Sequence, residues 1–87
     1  MSDVGSVLKK ERESKKLSLR ELARRSGVSH PYISQLENGR TGVPTYSTVR
    51  ALAKGLSVGY LDLLIAIGFV TDDDIELYNK QFSEELV

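Results

Sequence analysis

Apolar residues recur along the chain at helical intervals. Val49, Leu52, Ala53 and Leu56 are separated by three, one and three positions, and Val4, Val7 and Leu8 follow the same rhythm. No stretch alternates apolar and polar residues for long enough to form a strand. Five times an apolar residue precedes Ser or Thr, and a second apolar residue follows four positions after the hydroxyl. The sets are Leu17-Ser18 with Leu22, Val28-Ser29 with Ile33, Pro44-Thr45 with Val49, Leu56-Ser57 with Leu61, and Val70-Thr71 with Ile75. This is an N-cap with its hydrophobic staple: the hydroxyl accepts from a free N–H of the first turn, and the apolar pair sets the entry angle. Helices are therefore predicted to begin near 18, 29, 45, 57 and 71, after a first helix over the N-terminal residues. Glu21 completes a capping box with Ser18, and Asp72, Asp73 and Asp74 favour the positive end of a helix dipole. Gly27, Asn38-Gly39 and Gly68 suit left-handed stops.

These elements make an all-α chain. Its 87 residues suffice for one small domain. The fourth helix is predicted to bury Val49, Leu52, Ala53 and Leu56, and the fifth Val58, Leu61, Leu64 and Ile65. The last, "TDDDIELYNKQFSEELV", carries Ile75, Tyr78, Phe82 and Leu86 on one stripe. The boundaries expected are a bundle over residues 1–68 and an amphipathic helix over 69–87.

The helix starting at Ser29 has an unusual surface. Ile33 and Leu36 face one way. The remaining positions hold His30, Pro31, Tyr32, Ser34, Gln35 and Asn38, where a merely solvated face would favour Lys and Glu. Amide, hydroxyl and ring groups at these positions point to a binding surface. The preceding helix joins it through "SGVS", a connection so short that the pair meets at a steep angle. Ala23 permits close approach, and Gly27 supplies the turn.

Charge sharpens this picture. The net formal charge is zero, but residues 1–40 hold nine basic and five acidic side chains, and residues 41–87 hold three and seven. The N-terminal part carries +4 and the remainder −4, so a basic surface can coexist with overall neutrality. The absence of cysteine excludes disulfides and thiolate metal sites, and suits a reducing cytosol. No apolar run approaches the about 20 residues of a membrane span, and a cytoplasmic location is expected. Catalysis finds little support. The single His stands beside Ser29 with no placed carboxylate, and no Gly-rich phosphate loop occurs. The Asp72–Asp74 run lacks the spaced ligands of a calcium loop, and no metal or cofactor is expected.

The segment "LSLRELARRSGVSHPYISQLENGR", with Pro44 and then "ALAKGLSV", resembles the lambda-repressor-like, Cro/CI-type (Xre) helix-turn-helix domain over residues 8–65. The resemblance implies a compact five-helix bundle, here with an additional C-terminal helix. Its helix-turn-helix core spans 18–38, and its third helix enters the major groove of double-stranded DNA. It implies a transcriptional regulator, a repressor that binds a palindromic operator as a homodimer and associates with the nucleoid. Base readers would be His30, Pro31, Tyr32, Ser34 and Gln35. Gln35 is foremost, because an amide matches adenine N6 and N7. Backbone contacts would come from Arg20, Asn38, Arg40, Thr41 and Thr45. Arg12 and Glu37 would form an internal ion pair. Leu64, Ile67, Phe69, Ile75, Tyr78 and Phe82 would form the dimer face. The chain departs from many phage repressors in having Leu19 where they place a phosphate-binding glutamine, and Gly42-Val43 where they place basic residues. Both departures predict fewer phosphate contacts. The alternative is a protein-interaction module of antitoxin or adaptor type, partnered by a toxin or antirepressor protein rather than by DNA.

Overall fold

The computed structural model describes residues 3–86 in backbone and 3–81 in side chain. It contains α1 (Val4–Ser14), α2 (Leu19–Ser26), α3 (His30–Glu37), α4 (Tyr46–Leu56), α5 (Tyr60–Ala66) and α6 (Asp72–Leu86). Among the described residues there is no strand, and no helix is long and apolar enough to cross a membrane.

Four of the five predicted caps form. Ser18, Ser29 and Thr45 accept from the N–H groups of Glu21, Tyr32 and Thr48. Thr71 and Asp74 exchange bonds of 2.9 and 3.1 Å, closing both arms of a capping box at the start of α6. At α2 only one arm forms, because the Glu21 carboxylate turns instead to Arg24 and Arg25. The predicted start at Ser57 is incorrect. Ser57 ends α4 in the left-handed region at φ 58°, and α5 begins three residues later behind Gly59, with no side-chain cap. The physical reason is that α4 closes on itself. Ser57 N–H donates to Lys54 and Val58 N–H to Ala53, the paired bonds of a Schellman stop.

The core is aliphatic. Val49, Leu52, Ala53 and Leu56 of α4 are all at most 1% exposed, and Leu8, Leu17, Leu22, Ile33, Leu36, Leu63, Leu64 and Ile67 pack around them. Each buried Leu, Ile or Val contributes about 1.5–3 kcal/mol relative to exposure. Helix α4 packs most extensively on α2. There, a Cβ on Gly55 would meet Ser26 Cβ at 2.9 Å and Leu22 Cδ1 at 3.0 Å, so only glycine allows the approach. The later start of α5 rotates its faces. Leu63, Leu64 and Ile67 turn inward, while Leu61, expected to be buried, is half exposed. Val58 and Ile65 are partly buried. Phe69 and Val70 fold back onto the core, with the Phe69 ring edge-on to Tyr46 at 5.5 Å. Arg50 of α4 lies over the Tyr60 ring at 5.3 Å and ties α4 to α5.

Candidate nucleic-acid interface

Helix α3 is short and closed at both ends. Ser29 caps its start, and Pro31 occupies the first turn, where a missing N–H is harmless. At its end Gly39 adopts φ 67°. Its N–H donates to Leu36, and Arg40 N–H donates to Gln35 at 2.9 Å. The helix anchors itself through Ile33 and Leu36, which are buried. His30, Pro31 and Gln35 are exposed, and Tyr32 and Ser34 are partly buried. Tyr32 also packs against the core, so its ring belongs in part to the scaffold.

Helix α1 brackets the far end of α3. Arg12 Nε donates to Glu37 Oε2 at 2.8 Å, and Nη2 donates to Oε1 at 3.0 Å. Its remaining Nη1 reaches the Leu17 carbonyl at 2.7 Å. The side chains of Arg12 and Glu37 are 12% and 4% exposed, so this fork-to-carboxylate pair is nearly enclosed. The Glu37 hydrogen bonds hold the Arg12 guanidinium above its ordinary pKa, against the opposing effect of burial. About two turns earlier on α1, Gly5 lies against the last carbonyls of α3. A Cβ there would overlap the Leu36 oxygen and stand 2.8 Å from that of Glu37. Gly5 escaped the sequence reading. Its signal was a glycine inside a helical pattern, which is costly unless something approaches closely.

The predicted backbone contacts divide. Arg20 and Arg40 are exposed, and neither is paired with a carboxylate among the described residues. Thr41, next to Arg40 in the chain after α3, is partly buried. Thr45 is exposed, but its hydroxyl is committed to capping α4 and to Thr48 Oγ1 at 3.0 Å. Asn38 donates its amide back to Ser34. On α2, Glu21 receives both Arg24 and Arg25. These two bonds lower its pKa, Arg24 contributing more, and partly neutralise that surface.

The expected dimer face is altered. Leu64 and Ile67 are 5% and 3% exposed in the core of this same chain, and cannot form an outer face. Phe69 is partly buried against Tyr46. Ile75 and Tyr78 line a groove of about 360 Å³ between α5 and α6, together with Leu61 and Val70. Phe82 lies outside the described side chains. Leu61, which the sequence pattern had placed inside, is thus a surface residue of this groove. Among the described residues, helix α6 packs extensively on no other helix.

Comparison with known proteins agrees with this geometry. The profile of the helix-turn-helix domain matches residues 3–64. The chain is 39% identical over 72 residues to the HTH-type transcriptional repressor RghR of Bacillus subtilis, covering 83% of this chain and 53% of that protein. It is 41% identical over 61 residues to the uncharacterized HTH-type transcriptional regulator y4dJ of Sinorhizobium fredii, covering 70% and 78%. The chain spans about half the length of the first two curated relatives it matches. Among solved structures, the clp gene regulator ClgR of Corynebacterium glutamicum superposes with a TM-score of 0.65 at 34% identity, covering 77% of this chain and 86% of that one. The restriction-modification controller protein C.Esp1396I gives 0.62 at 31%, covering 74% and 87%. With the capped α2–turn–α3 pair, the Arg12–Glu37 bracket and these likenesses together, the chain belongs to the helix-turn-helix domain family, in its Cro/CI-like (Xre) branch.

Proposed function

We propose that this chain is a sequence-specific DNA-binding transcriptional regulator, that it represses by occupying a palindromic operator, and that it does so in the cytoplasm on the nucleoid. The observation that carries the reading is α3 itself. It is a helix anchored by Ile33 and Leu36 and braced by Arg12–Glu37, and its exposed positions hold Gln35, His30 and Pro31 rather than Lys and Glu. Such a helix fits the major groove, where amide and imidazole groups match base-edge donors and acceptors. Gln35 reads adenine, and His30, Pro31, Ser34 and Tyr32 flank it. Arg20, Arg40 and Thr41 hold the phosphates. Two copies meet across the α5–α6 groove and present two α3 helices to the halves of the operator. The names of RghR as a repressor and of ClgR as a gene regulator support the regulatory role.

A second reading has its own support. The groove at α5–α6 is apolar, and a similar structure is a SinR protein/SinI protein complex, at a TM-score of 0.65 and 27% identity. A protein partner would then occupy the groove. Affinity for a selected duplex and for a random-sequence duplex, measured for the wild type and for Gln35→Ala, separates the readings. The DNA reading predicts that Gln35→Ala weakens binding to the selected duplex by about 1–3 kcal/mol and leaves random-duplex affinity unchanged. Unchanged affinity for both duplexes would overturn the assignment of α3 as reader.

A further inference from the structure

Helix α4 carries a basic row beside the α5–α6 groove. Arg50 and Lys54 are four residues apart and exposed on the same side of α4, with Tyr46 one turn before them. Two contacts stitch this row to the α5 side of the groove. The Arg50 guanidinium lies over the ring of Tyr60, the chain neighbour of Leu61. The Tyr46 ring meets that of Phe69, the chain neighbour of Val70. Leu61 and Val70 both line the groove. The α6 side is acidic. Asp74 lines the groove itself, and Asp72 and Glu76 form an exposed row alongside that of Ile75 and Asn79. Among the described residues the ion pairs all lie within residues 12–37. Within this set Arg50 and Lys54 have no carboxylate partner, and Asp72 and Glu76 have no cation. One rim of the groove is basic, the other acidic, and neither is neutralised by the other.

From this arrangement we infer that charge fixes how a second copy docks: Arg50 and Lys54 of each copy face Asp72 and Glu76 of the other. A two-fold axis along the groove brings the unlike rims together, twice by symmetry. An axis across the groove would set basic against basic and acidic against acidic, which is repulsive. The inference rests on two copies meeting across the α5–α6 groove. It adds which way round they meet and which side chains decide it.

Sedimentation of the full chain without DNA tests this. The wild-type dimer is expected to weaken as ionic strength rises from about 0.05 to about 0.5 M, because exposed charge pairs are screened. Arg50→Glu with Lys54→Glu should raise the dimer dissociation constant about tenfold or more, since each reversal acts twice. Asp72→Lys with Glu76→Lys should do the same, and all four substitutions together should restore the dimer. Lys9→Glu with Lys10→Glu makes the same net-charge change as the α4 pair, but on α1 and outside the groove, and should leave the dimer intact. Circular dichroism checks the fold of each variant, and the wild-type salt series needs none of them. A dimer that tightens with salt, no recovery in the fourfold variant, or equal weakening by the α1 pair would each overturn the inference. A dimer lost in Leu61→Asp but indifferent to the rim substitutions would overturn it and leave the groove as the meeting place. A wild type that stays monomeric throughout would overturn both.

Discussion

The Glu37 carboxylate is 4% exposed, and both its oxygens are held by Arg12. Removing one partner of an enclosed pair leaves the other charge unsatisfied, which costs more than the pair contributes. Glu37→Ala is therefore expected to destabilise the fold by about 3 kcal/mol, read as a lowered denaturant midpoint. A change below about 0.5 kcal/mol would show that the pair does not brace α3. Arg12 and Glu37 could be named from sequence only because a resemblance supplied the pairing, since they lie 25 positions apart. The α3 side chains were legible more directly. The period that buries Ile33 and Leu36 necessarily turns His30, Pro31 and Gln35 outward. Gly5 and Gly55 were legible only as glycines inside helical patterns, because the neighbour that requires each is distant in sequence and nothing local names it. Tyr32 was only half read: it lies beside the reading face and also packs on the core.

Every helix from α1 to α5 is followed by a left-handed residue, at Lys16, Gly27, Gly39, Ser57 and Gly68. The three glycines were visible as stops. Lys16 and Ser57 were not, because a side chain in this region is strained and propensity argues against it. The misread start of α5 follows from that. Ser57 has the composition of a cap and occupies the stop of the previous helix. Lys16 is exposed, and its N–H donates to Glu13 while Leu17 N–H donates to Arg12. Lys16→Gly should keep these bonds, relieve the strain and stabilise the protein by about 0.5–1 kcal/mol, visible as a raised melting temperature. A lowered one would mean that the Lys16 side chain contributes more than its backbone costs. At α6, Thr71 N–H, and after it the Thr71 side chain, hold the Asp74 carboxylate below the usual aspartate range. A group with a depressed folded pKa stabilises above its unfolded pKa and loses that contribution as pH falls through the folded one. The start of α6 should therefore fray as pH drops from the ordinary aspartate range towards the lowered Asp74 value. Faster amide exchange at Asp74 and Ile75, corrected for intrinsic rates, would record it. Equal protection across that range would contradict the capping role.

At the scale of the molecule, the all-helical class and the helix-turn-helix core were readable because caps, stops and apolar spacing agree. The outer surface of α5–α6 was readable only in part. A stripe on a terminal helix does not say which of its neighbours are already used. Leu64 and Ile67 are consumed by the core, and Leu61 takes their place at the groove with Val70, Ile75 and Tyr78. If two copies meet there, Leu61→Asp introduces a charge at an already exposed position. It should convert a dimer to a folded monomer in sedimentation, with helical content unchanged. A wild type that sediments as a monomer under conditions of DNA binding would remove the dimer from the account. The central claim is that α3 reads DNA sequence, and selection from a random duplex library at moderate salt tests it most directly. The account predicts an enriched inverted repeat with half-site centres roughly one helical turn apart. No enrichment by a folded wild-type chain would contradict it, and the exposed face of α3 would then be a surface for protein.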